Sequence, residues 1–76
     1  MADHHLHVEV DGGEIVVTLP GSIYLVTYYK SPKGSYLSAK LLPTHDDPNA
    51  VMTSGEFLAQ AWKRANAKAR QLGWIV

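Results

Sequence analysis

Residues 53–73, TSGEFLAQAWKRANAKARQLG, carry their own start signal, stop signal and apolar stripe, and the rest of the chain reads as a sheet that this segment covers. Thr53 and Glu56 form the T-x-x-E capping box, in which each residue satisfies the other's backbone N–H. Met52 before the cap and Phe57 at the fourth helical position have the spacing of a hydrophobic staple. Asp46, Asp47 and Glu56 lie toward the positive end of the helix dipole, and Lys68 and Arg70 toward the negative end. Gly73 stands where a left-handed residue closes a helix, with Trp74 placed to fold back on Ala69 as a Schellman motif requires. These signals predict a helix over about 54–72.

At about 100° per residue, Leu58, Ala61, Ala65, Ala69 and Leu72 share one stripe, flanked by Phe57 and Trp62. Gln60, Lys63, Arg64, Ala67 and Gln71 centre the opposite face, with Lys68 and Arg70 at its edges. The alanines let the helix axis approach the layer beneath.

Upstream, Leu6, Val8 and Val10 alternate with polar residues, as do Ile15, Val17 and Leu19 with Val16 and Thr18. Asp11-Gly12-Gly13 between them offers two candidate two-residue turns, Asp-Gly and Gly-Gly, and either keeps the six aliphatics on one side. Pro20-Gly21-Ser22 turns the chain into 23–30, IYLVTYYK, a β-prone run with bulky residues at nearly every position, expected as a central strand. The next turn, 31–34 SPKG, decides which of those residues face the helix. A three-residue loop, Pro32-Lys33-Gly34 with a glycine bulge, places Ile23, Leu25, Thr27, Tyr29, Leu37, Ala39 and Leu41 inside. Tyr24, Val26, Tyr28, Lys30, Tyr36, Ser38 and Lys40 are then outside. A four-residue loop shifts the pairing by one and groups Tyr24, Val26 and Tyr28 with Leu37, Ala39 and Leu41 instead. The three-residue loop is the favoured reading, because it keeps both lysines and the flanking tyrosines wet. Residues 42–52, LPTHDDPNAVM, read as a crossing loop, and Trp74-Ile75-Val76 as a segment packed at one end of the core.

The expected architecture is therefore a single α+β domain over 1–76. It is a four-stranded antiparallel meander (about 4–10, 14–19, 23–30 and 35–42) with one C-terminal helix packed on one face. The chain has no cysteine and no run of ~20 apolar residues, and its N-terminus lacks the pattern of a signal peptide. A cytoplasmic protein with no membrane span is the expectation. Through VVTLPGSIYLVTYY (16–29), HDDPNAVMTSGEFLAQAW (45–62) and KARQLGWIV (68–76) the chain resembles small uncharacterised bacterial proteins. That resemblance implies no activity, cofactor or site residue.

One helix covers one side of a sheet. The favoured register leaves Val16, Thr18, Tyr24, Val26, Tyr28 and Tyr36 on the other, beside Lys30 and Lys40. An apolar, tyrosine-rich face of that extent points to a protein-interaction module. It would self-associate as a homodimer or bind a partner protein through Tyr24, Val26, Tyr28, Lys30, Tyr36 and Lys40. The alternative is nucleic-acid binding, with tyrosines stacking and lysines neutralising phosphate. Against it stand a formal net charge of zero and an acidic first hairpin. The third reading is a metal site: His5, His7 and Glu9 project from one strand face, and Ala2-Asp3-His4 would form a copper- or nickel-binding set if Met1 were removed. His45-Asp46-Asp47 offers acid–base groups, or simply turn and cap chemistry. No motif surrounds Ser22, Ser31, Ser35 or Ser54, and no enzyme activity and no cofactor are expected. Charge is segregated: residues 1–14 contain acids and no Lys or Arg, and residues 63–70 contain Lys63, Arg64, Lys68 and Arg70 and no acid.

Overall fold

Strand β1 (His7–Asp11) returns as β2 (Glu14–Thr18) through Gly12-Gly13, since Asp11 pairs with Glu14. Of the two turn pairs open to the sequence the chain uses Gly-Gly, with Gly12 at φ 61°, where a side chain would be strained. The computed structural model describes residues 5–76. Strand β3 (Leu25–Lys30) and β4 (Leu37–Lys40) complete an antiparallel sheet in the order β1-β2-β3-β4, and helix α1 (Ser54–Gln71) lies over β2 and β3. This is the expected α+β meander with one covering helix.

The helix ends are built as the sequence predicts. Glu56 N donates to Thr53 Oγ1 at 3.2 Å, and Thr53 N donates to Glu56 Oε1 at 2.9 Å. Met52 and Phe57 are buried in one core. At the far end Gly73 adopts φ 79°, Trp74 N donates to the Ala69 carbonyl at 2.8 Å, and Gly73 N to that of Arg70 at 3.1 Å, the two bonds of a Schellman motif. Ile75 is buried and Trp74 packs on the core, but Val76 projects into solvent.

The register of β3 is the opposite of the favoured one. Val17 pairs with Val26 and Ile15 with Tyr28, so Tyr24, Val26 and Tyr28 share the face of Ile15 and Val17. They are 1%, 0% and 2% exposed, whereas Ile23 and Leu25 are 73% and 39% exposed. Both connections to β3 hold four residues. Leu19 N donates to the Tyr24 carbonyl around Pro20–Ile23, and Ser31 N to the Tyr36 carbonyl around Pro32–Ser35. An even loop on each side swaps the alternation of the whole strand. Gly34 is not at positive φ, and a Cβ there would stand 2.8 Å from the half-exposed Tyr36 ring, which would have to shift.

The reason for this choice lies under the helix. Ala61, Ala65 and Ala69 are fully buried, so the volume between the layers must be filled from the sheet. Tyr24 stacks on Phe57 with ring centroids 5.2 Å apart, and Tyr28 meets Trp62 at 5.7 Å. The Tyr24 hydroxyl donates to the Met52 carbonyl (3.0 Å) and accepts from Asp47 N (2.8 Å), so its burial leaves no polar atom unpaired. The opposite register would have put Thr27 beneath alanine methyls, which offer its hydroxyl no partner.

Candidate interaction surface

The face turned away from α1 carries one residue from each alternate position of the sheet. His7, Glu9 and Asp11 come from β1, and Glu14, Val16 and Thr18 from β2. Leu25, Thr27 and Tyr29 come from β3, and Ser38 and Lys40 from β4, with Tyr36 just before it. Val16, Thr18, Tyr36 and Lys40 stand where the sequence placed them. Tyr24, Val26 and Tyr28 do not: they belong to the core. Lys30 takes their side of the strand but at its end, where Nζ reaches the carbonyls of Ser31 and Gly34, both at 3.3 Å. A lysine at a strand end therefore caps a turn, and says nothing about which face of the strand is wet.

Leu25, Thr27 and Tyr29 are the residues of this surface that the favoured register places inside. Thr27 is the one residue of that set whose hydroxyl would find no partner beneath the alanine methyls. Leu25 is 39% and Tyr36 50% exposed, whereas Thr27, at the middle of the face, is buried by its neighbours at 2%. Beyond β4, Leu41 takes φ 57° and is 67% exposed. A leucine in that region costs of order 1–3 kcal/mol, and the strand ends there.

The electrostatics of the face are mixed but lean acidic. Three carboxylates, those of Glu9, Asp11 and Glu14, share it with the ammonium of Lys40, and Lys30 reaches one end of it. Lys40 is bound by Glu14 beside Tyr29, and the Glu9 carboxylate lies 3.2 Å from His7 Nε2, from which it accepts. Both pairs are solvent-accessible, so each is worth about 0–1 kcal/mol. At one end of the face a shallow open concavity of about 540 Å³ is lined by Asp11, Gly13, Glu14, Tyr29, Lys30 and Lys40. It can hold a small polar group; no serine or histidine lines it.

The acids of the crossing loop make turn and cap hydrogen bonds. Asp47 accepts from Ile23 N at 3.0 Å and from Asn49 N at 2.9 Å, tying the β2–β3 turn to the loop. Asp46 accepts from Ser54 N (2.8 Å) and Ser54 Oγ (2.7 Å), and His45 Nδ1 lies 2.8 Å from Thr44 Oγ1. The Ser54 backbone N–H, then its hydroxyl, hold the Asp46 carboxyl below the ordinary carboxylate range. A lowered folded-state pKa contributes stability that is complete at neutral pH and is lost as pH falls through it. Asp46→Asn is thus expected to be less stable than wild type at pH 7. The gap should close below about pH 4, as urea midpoints taken across that range would show.

His5 and His7 are exposed on β1 and its approach, and His7 is engaged with Glu9. Among the described residues no group of three or more His, Cys, Asp and Glu is gathered to hold a metal ion. The Ala2-Asp3-His4 set lies outside the described residues. No described helix is long and apolar enough to cross a membrane. Comparison with protein-family models, with curated proteins and with solved structures returns no match. The resemblance to small bacterial proteins therefore stands on the quoted residues alone.

Proposed function

We propose that the chain is a small, non-enzymatic protein-interaction module. It engages a second protein chain, its own copy or another, through the sheet face that α1 leaves uncovered. The observation that supports this is the exposure of Leu25 and Tyr36 beside Val16 and Tyr29 on a face over which, among the described residues, no helix or strand packs. Polar and charged groups rim that apolar centre, as they do in transient interfaces. A cytoplasmic setting belongs to the same proposal and rests on the cysteine-free composition.

Nucleic-acid binding is not adopted. Two of the three tyrosines it relies on, Tyr24 and Tyr28, are in the core, Lys30 is engaged by turn carbonyls, and Lys40 is bound by Glu14 on a face with three carboxylates.

Leu25→Asp tests the proposal, because Leu25 contributes to the surface and not to the core. Sedimentation velocity of wild type is expected to show mass rising with concentration, and Leu25→Asp to sediment as a monomer with an unchanged circular dichroism spectrum. Identical concentration dependence in the two proteins would contradict an interface on this face.

A further inference from the structure

Carboxylates outnumber ammonium groups on the open sheet face, and cations outnumber acids on α1. Residues 1–29 contain no Lys or Arg, and residues 57–76 contain no Asp or Glu. Pairing places the Glu9, Asp11 and Glu14 carboxylates on the sheet face away from α1. Lys63, Arg64, Lys68 and Arg70 sit on α1, and among the described residues none of them is in an ion pair. Trp62, 45% exposed, lines with Lys63, Asn66 and Arg70 a depression of about 370 Å³ on one flank of the helix.

Resting on the interaction reading above, we infer that the partner of the open sheet face is the outer face of α1 in a second copy, docked head to tail. Charge complementarity selects this occupant over a sheet-to-sheet pair. Two open faces laid β1 over β1 oppose carboxylate to carboxylate, and laid β1 over β4 they offer Glu9 and Asp11 only Lys40, which Glu14 already holds, whereas sheet against helix opposes them to Lys63 and Arg70. Trp62 supplies the apolar counterpart for Leu25 and Tyr36. Such a contact uses different patches on the two copies, so it does not close at a dimer and propagates as a chain.

The association is weak. Four strands at about 4.8 Å spacing and five residues at about 3.4 Å give a face of roughly 19 by 17 Å. That is small against the ~800 Å² per partner of a stable interface. It is also salt-sensitive, because the charges are exposed and screened beyond about 8 Å at physiological ionic strength.

Sedimentation velocity on two charge-reversed variants tests this: Lys63→Glu/Arg70→Glu on the helix and Glu9→Lys/Asp11→Lys on the sheet. In about 20 mM salt wild type should grow past dimer with concentration, and in about 500 mM salt it should dissociate. Each variant alone should lose at least about tenfold in association constant, and the equimolar mixture should recover it, since each then offers the other an opposite charge. A helix variant that associates as wild type does would overturn the inference while leaving the sheet-face reading intact. So would a wild type that stops at dimer, or a mixture that stays monomeric. A wild type that is monomeric throughout but binds an oligothymidylate would also overturn it, assigning the helix face to nucleic acid.

Discussion

Tyr28→Asp is expected to unfold this domain, and the same substitution one residue later, Tyr29→Asp, to leave it folded. Tyr28 is 2% exposed, lies against Trp62 and pairs across the sheet with Ile15 and Ala39. Truncating a buried aromatic costs about 3–5 kcal/mol. The carboxylate adds a further cost, since nothing beneath the alanine stripe can hydrogen-bond it. At roughly 0.05–0.15 kcal/mol per residue the whole domain has only about 4–11 kcal/mol to lose. Tyr29 faces away from α1 and is half-buried among Glu14, Lys30 and Lys40. A charge there stays solvated and should cost about 1 kcal/mol or less. Circular dichroism and urea titration of the pair read the difference directly. Equal stability in the two variants would mean that the strand does not present opposite environments at consecutive positions.

Phe57→Ala is the second large effect, with an expected loss of about 3–5 kcal/mol. The ring is fully buried in the first turn of α1, stacked on Tyr24 and in one core with Met52. Tyr24 in turn holds the crossing loop through Asp47 N and the Met52 carbonyl, so removing Phe57 loosens the support of that loop as well. Leu58, on the same turn but half-buried, provides the comparison: Leu58→Ala should cost distinctly less. A Phe57→Ala midpoint close to that of wild type would show that this end of the helix is not the anchor the packing implies.

The helix and the meander were legible because their signals are local and redundant. Thr53 and Glu56 cap α1, Gly73 and Trp74 close it, and Gly12-Gly13 permits one hairpin register modulo two residues. The facing of β3 was not legible from the strand itself. IYLVTYYK is apolar at both parities, and Pro20-Gly21 and Pro32-Lys33-Gly34 suit turns of three or four residues alike. The information that decides it is long-range. A helix with alanine at 61, 65 and 69 needs large side chains opposite. Tyr24, Val26 and Tyr28 supply more volume than Leu25, Thr27 and Tyr29, and the Tyr24 hydroxyl is paired. Keeping lysines wet was the wrong criterion, because Lys30 stands at a strand end and reaches turn carbonyls. Of the candidate surface, the existence of an open face and its residues Val16, Thr18, Tyr36 and Lys40 followed from the sequence. Leu25 and Tyr29 did not, since they depend on that one-residue choice. The roles of Asp46 and Asp47 divide in the same way. Their turn and cap chemistry was readable from the residue types, but the bond from Ile23 N to Asp47 spans 24 positions and is invisible to local reasoning.

The facing of β3 under α1 is the claim on which the open surface, its partner and the stability pattern all depend. Nuclear Overhauser contacts of the tyrosine rings measure it most directly. The account predicts cross-peaks from Tyr24 to Phe57 and from Tyr28 to Trp62, with none from Tyr29 to either helix ring. Cross-peaks from the Tyr29 ring to Phe57 or Trp62, with Tyr24 and Tyr28 showing none, would contradict it.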